Sequence, residues 1–172
     1  MNRILVSAFC LIMALSGLPA SAGGDFAVRE KGGPRPEAKA DKASVYIVRP
    51  ANIGKAIRIW AFADENVIGV TKSNTYLHIY LDPGTYVFWS RAENVSAVEY
   101  TVEAGKTYYF KQKVKMGMMK ARVRVLPLSE TEGLEVLDEC EKFSTMTDAG
   151  KVRGAEIAAE KLAVAKEKAA ES

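Results

Sequence analysis

The stretch TYLHIYLDPGTYVFWSR, residues 75–91, constrains the fold more than any other part of the chain. Tyr76, His78 and Tyr80 alternate with Leu77, Ile79 and Leu81, the period of a strand with one buried face. Asp82-Pro83-Gly84 interrupts the run, because proline presets φ and glycine tolerates positive φ. A second β-rich run follows, so the stretch reads as a hairpin. SVYIVR, AIRIWAF and VIGV precede it as further strands, with Asp64-Glu65-Asn66 as a polar turn. Gly69 within VIGV points to a bulge or a close backbone approach. AVEYTVE, KTYYFKQKVKM and KARVRVLPL follow. About seven to eight short strands joined by tight turns indicate a mainly β chain, a sandwich or small barrel.

The flanks have a different texture. Residues 1–22 read as a secretory signal peptide: Arg3 is followed by an apolar run, Ile4 to Leu18, too short to span a membrane comfortably. Ala20-Ser21-Ala22 offers the cleavage pattern. Phe9 before Cys10 does not suit a lipobox. The expectation is a soluble, exported protein, periplasmic or secreted, beginning at Gly23. Cleavage leaves 150 of the 172 residues and removes Arg3 from 24 cations, giving 23 against 21 acids. That balance gives no reason to expect nucleic acid, and electrostatic function must come from a local patch. Cys140 is then the one remaining cysteine, expected to be buried.

Residues 23–43, rich in Gly, Pro and charge, read as a flexible leader. The β domain spans 44–140. Ser129 and Glu132 stand at the capping-box spacing for a short helix after the last strand, with Gly133 as an unfavourable residue inside it. Residues 141–172 read as a linker and a C-terminal helical tail. Its stripe of Ala155, Ala158, Ala159, Leu162 and Ala169 buries little, so a loosely placed helix or a partner contact is expected.

One hairpin carries a concentrated charge. A two-residue turn at Gly117-Met118 would pair Lys115 with Lys120, Lys113 with Arg122 and Lys111 with Arg124. Period two then sets Lys111, Lys113, Lys115, Lys120, Arg122 and Arg124 on one face. Like charges directly opposite each other are destabilising. The stripe is therefore either a binding face for an anionic envelope component or acidic protein, or a solvated edge that discourages strand-on-strand association. Met116, Met118 and Met119 at the tip suit either an adaptable contact surface or gap-filling.

Catalytic chemistry has few carriers. Ala104-Gly105-Lys106-Thr107 ends like a phosphate loop, but Tyr100 stands where the first glycine is required and a strand follows instead of a helix. No nucleotide and no cofactor is expected. His78 is the one histidine. It can be drawn into a hydrolase-type site with Asp82 or Cys140, or with Ser73 or Ser90 and Asp64, without a local signature such as a nucleophile elbow. One His and one Cys make no metal site. No catalytic or metal residue is assigned.

VYIVRP, DENVIGV, TYLHIYLDPGTYVFWS, VEAGKTYYFKQ and SETEGLEVL together resemble an uncharacterised family of exported bacterial domains of unknown function. Many of these are lipoproteins, and they are similar to PEGA and carboxypeptidase-regulatory-like sandwiches. The resemblance covers residues 44 to 140 and implies a small antiparallel immunoglobulin/transthyretin-like β-sandwich in the cell envelope, without enzymatic activity. The expected function is a non-catalytic binding or accessory module. The alternatives are an enzyme using His78 and a purely structural envelope domain.

Overall fold

The computed structural model describes residues 25–50, 54–116 and 121–172. The signal-peptide reading, Lys120 and the Gly117-Met118 turn lie outside them. Ten strands and two helices are present among the described residues. In chain order they are β1 (Ala27–Lys31), β2 (Ala43–Arg49), β3 (Ile59–Ala63), β4 (Asn66–Thr71), β5 (Thr75–Leu81), β6 (Gly84–Arg91), β7 (Val95–Val102), β8 (Thr107–Met116), β9 (Ala121–Leu128), α1 (Glu130–Asp138), β10 (Lys142–Met146) and α2 (Asp148–Ala170). The chain is mainly β, as expected, with ten strands where seven to eight were anticipated.

Two sheets face each other. One has the order β1-β10-β5-β2-β8-β9 and the other β4-β3-β6-β7. Between them pack Val45 and Ile47 of β2, Leu77 of β5, Phe88 of β6, Phe110 of β8 and Val125 of β9. The Phe88 and Phe110 rings stack across the gap at 4.2 Å. The sheet is not wholly antiparallel: β2 runs parallel to β8, and β10 parallel to β5.

The 75–91 stretch is two strands but not a hairpin. β5 already has β2 on one side and β10 on the other, so β6 has no free edge to pair with and crosses to the second sheet beside β3 and β7. Gly84 does not adopt positive φ; Asp82-Pro83 is a corner between sheets. β3 and β4 do form a hairpin across Asp64, whose φ is 48°. Gly69 sits at the expected irregularity: the register shifts between Ala61 and Phe62, and a Cβ on Gly69 would lie 2.6 Å from Leu77.

Each outer face carries a helix. α1 starts at the Ser129–Glu132 capping box and packs Val136 and Leu137 on Tyr46, Val48 and Tyr109 of the larger sheet. Gly133 permits that approach, since its Cβ would lie 2.2 Å from Tyr109. α2 lies on the smaller sheet, with Ile157, Ala158, Ala165 and Ala169 against Trp60, Phe62 and Trp89. The expectation of a loosely placed helix is corrected here. The sheet supplies the aromatic bulk, and small helix residues let the backbone come close: a Cβ on Gly154 would meet Val67 at 2.5 Å, and one on Gly150 the Phe26 carbonyl at 2.1 Å.

The segments read as leader and linker also enter the fold. β1 pairs antiparallel with β10, Ala27 opposite Met146. Residues 32–42 then cross the outer face of the larger sheet. Tyr76 donates to the carbonyls of Gly33 and Pro34 at 2.6 and 3.1 Å, Tyr46 to Pro36 at 3.0 Å and Tyr80 to Glu37. Arg35 pairs with Asp138. A segment without apolar periodicity is held here by hydroxyl donors on the sheet beneath it.

Candidate functional site

The outer face of the six-stranded sheet has two halves. In one, Tyr76, His78 and Tyr80 of β5, Ser44 and Tyr46 of β2 and Tyr109 of β8 lie under residues 32–42 and α1. In the other, the basic residues of β8 and β9 are uncovered. Strand parity builds both: Tyr109 is on the outer side, so Lys111, Lys113 and Lys115 follow on that side while Phe110 and Gln112 point inward.

The β8–β9 register differs from the expected one by two residues. Lys115 faces Arg122, Lys113 faces Arg124, and Lys111 faces Leu126. The connection is therefore four residues, 117–120. A shift of two preserves facing, so Lys111, Lys113, Lys115, Arg122 and Arg124 still share one side. Lys113, Lys115, Arg122 and Arg124 are exposed, and Lys111 is half-buried. Lys111 lies toward α1, where the Ser129 hydroxyl and backbone first, and Lys111 last, hold the Glu132 carboxyl below its usual range.

None of the ion pairs among the described residues engages Lys113, Lys115, Arg122 or Arg124. Directly opposed side chains on paired strands stand about 5 Å apart at Cβ, so two like-charge pairs sit side by side. Lys115, Arg122 and Arg124 also rim a groove of about 810 Å³ between β7, β9 and the end of α2, which Lys168, Glu99 and Glu171 share.

The free edge of β9 is occupied by side chains of the neighbouring sheet. Val123 N–H donates to Asn94 Oδ1 at 2.8 Å, and Asn94 Nδ2 donates to the Val123 carbonyl at 3.0 Å. Val125 N–H donates to Ser96 Oγ at 3.1 Å. These bonds block strand addition there without the cations. Sequence reasoning offered no sign of this, because Asn94 and Ser96 meet β9 only through sheet stacking.

The catalytic candidates are dispersed. His78 Nε2 is 2.9 Å from Ser44 Oγ, and burial, with Lys39 adding, pushes the imidazole down to about 4. Asp82 accepts from Lys42 at 2.6 Å. Cys140 is 2% exposed, and burial pushes its thiol up to about 12. Ser90 accepts from Gln112, and Asp64 from the Val87 N–H. Neither Asp82 nor Cys140 hydrogen-bonds His78 among the described residues. Thr107 opens a strand, as expected, and Lys106 pairs with Glu103 at 2.8 Å.

Further observations bear on function. Among the described residues, no group of three or more His, Cys, Asp or Glu is placed to hold a metal, and no helix is long and apolar enough to cross a membrane. Residues 39–125 match the family described as "Protein of unknown function (DUF2846)". A protein of Haemophilus influenzae titled "Uncharacterized protein" is 24% identical over 98 residues, which are 56% of this chain and 58% of that protein. No solved structure matches the chain.

Proposed function

The chain belongs to the DUF2846 family, and from that premise we propose that it is a non-catalytic binding module of the bacterial cell envelope, exported by its N-terminal segment, that engages a polyanionic surface through Lys113, Lys115, Arg122 and Arg124. The kinship with PEGA-like immunoglobulin/transthyretin-type sandwiches belongs to the same reading, supported by the two facing sheets.

One observation carries the assignment. The alternative use for these cations, keeping an edge strand from pairing with another chain, is already served at β9 by Asn94 and Ser96. Two opposed like-charge pairs then remain without an internal role, although each costs up to ~1 kcal/mol relative to neutral pairs. A surface of phosphate or carboxylate groups suits them better than a single acidic protein.

The test is sedimentation of the protein with vesicles containing anionic lipid or lipopolysaccharide, over a salt series. Binding should fall steeply with salt, since exposed charges are screened over ~8 Å at physiological ionic strength. Replacing Lys113→Gln with Arg122→Gln removes one member of each opposed pair and should weaken binding while stability holds or rises. Vesicle binding that is absent, or unchanged in the double variant, rejects this reading. Retention instead on an acidic protein would move the partner to that class.

A further inference from the structure

A second basic cluster lies away from that face, at the end of the sandwich where both sheets and α2 meet. It was not legible in the sequence, because its members come from three separate segments. Arg29 is on β1 of the larger sheet. Arg58 precedes β3 and Lys72 follows β4, so they flank the open end of that hairpin just beyond the Ile59–Thr71 pair. Asp25 precedes β1, and its carbonyl accepts from the Thr147 hydroxyl at the N-cap of α2.

The three cations converge on one oxygen. Asp25 Oδ1 is 3.5 Å from Arg58, 3.7 Å from Arg29 and 3.8 Å from Lys72. Charge-assisted hydrogen bonds are normally 2.7–2.9 Å, so a single carboxylate oxygen serves all three poorly. The Asp25 side chain is itself 60% exposed. Arg29 is the least satisfied of the group: its side chain is 13% exposed, and its Nε and Nη2 are buried with no hydrogen-bond partner among the described residues. Such orphaned donors are rare in folded chains.

The surroundings add positive potential. Arg49 is 1% exposed and lies behind Arg58 and Lys72, donating to the carbonyls of Ile57 at 2.7 Å, Gly54 at 2.9 Å and Thr71 at 3.4 Å, with no carboxylate partner among the described residues. The N-terminal end of α2 is tied to the same segment, Thr147 N–H donating to the Phe26 carbonyl at 3.1 Å, and helix N-termini favour anions. Asp148 in that first turn pairs with Lys151.

We propose that Arg29, Arg58 and Lys72 form a binding site for a phosphate monoester or inorganic phosphate, with Asp25 as the displaceable carboxylate that occupies it otherwise. Three cations and one carboxylate leave two positive charges, which a phosphate dianion balances. Its oxygens are spread over a tetrahedron, so each cation can take a separate acceptor at bonding distance. Arg29 faces the Asp25 oxygen through Nη1, the nitrogen it would offer to a phosphate oxygen, while its buried Nε and Nη2 find no partner among the described residues that would compete for its charge. The site is independent of the β8–β9 face.

Calorimetric titration with inorganic phosphate and with glycerol 3-phosphate tests it, at low salt and neutral pH. Arg58→Gln and Lys72→Gln should each weaken phosphate binding about tenfold or more, the usual worth of a charge-assisted bond. Asp25→Asn should tighten it, because the competing carboxylate is gone; a purely structural ion-pair cluster predicts no such gain. Lys113→Gln with Arg122→Gln should leave it unchanged. Vesicles containing phosphatidic acid, presented to that double variant, separate the two sources of the group: binding that Arg58→Gln abolishes identifies a lipid headgroup, and soluble binding alone a free phosphate compound. No phosphate binding by the folded protein overturns the proposal. So does binding that survives in Arg58→Gln and Lys72→Gln variants shown by melting to be folded.

Discussion

Replacing Gly150→Ala gives opposite signs according to whether α2 is seated on the smaller sheet. In a helix without neighbours the change is stabilising by up to about 1 kcal/mol, because alanine loses less backbone entropy than glycine. Here the added methyl would lie 2.1 Å from the Phe26 carbonyl oxygen and 3.0 Å from its carbon. Those are backbone atoms of the segment leading into β1, held by Thr147 through two hydrogen bonds, so they cannot step aside as a flexible side chain would. Overpacking costs about 1–3 kcal/mol, and a clash with fixed backbone atoms takes the upper part of that range, about 2–3 kcal/mol. Set against the helix-propensity gain, the net loss is about 1–2 kcal/mol. For a chain of this size each kcal/mol moves Tm by roughly 2–4 °C, so the variant should melt about 2–8 °C lower. Scanning calorimetry or fluorimetry against the parent protein measures this. A Tm equal to or above the parent's would refute the seating of α2 against Phe26, and with it the argument that glycine and alanine make this helix fit.

Two further outcomes follow from the buried groups. His78 holds its proton less tightly in the folded state, about 4 against an ordinary 6.5, chiefly through burial. Between those values the unfolded chain binds more protons, so stability should fall as pH drops from 6.5 toward 4 and level off below; His78→Gln should flatten that part of a denaturation-versus-pH curve, and an unchanged curve would contradict the assigned burial. The Cys140 thiol, with its ionisation pushed up to about 12, should resist a thiol reagent at pH 8 in the native protein and react at once in denaturant; rapid native labelling would show that α1 does not cover it.

Local signals were legible, and pairings between distant segments were not. The capping box at Ser129 and the irregularity at Gly69 depend on neighbours in sequence, and both stand where the residues place them. The basic face survived an error in register because facing depends only on parity. The crossover at Asp82-Pro83 was misread as a hairpin turn: the same residues serve either purpose, and the choice is made by β2 and β10 occupying both edges of β5. Residues 32–42 carry no apolar side chain larger than proline and no apolar periodicity, so nothing in them reveals that Tyr46, Tyr76 and Tyr80 will donate to their carbonyls. The alanine stripe of α2 looked too thin to bury, because the bulk it packs against belongs to Trp60, Phe62 and Trp89. Arg29, Arg58 and Lys72 meet only once both sheets are stacked.

The place of β10 between β1 and β5 also dictates an order of assembly. Ala27 and Met146 are neighbours in the sheet yet more than a hundred positions apart in the chain. As the chain emerges from a ribosome, β1 has no partner in its own sheet until residues 142–146 arrive. Until then the far edge of β5 stays open. Loop closure over such a separation is slow compared with forming the β3–β4 or β8–β9 hairpins. The larger sheet therefore completes last, and a chain stalled short of β10 exposes two unpaired strand edges, a species prone to associate with its own kind.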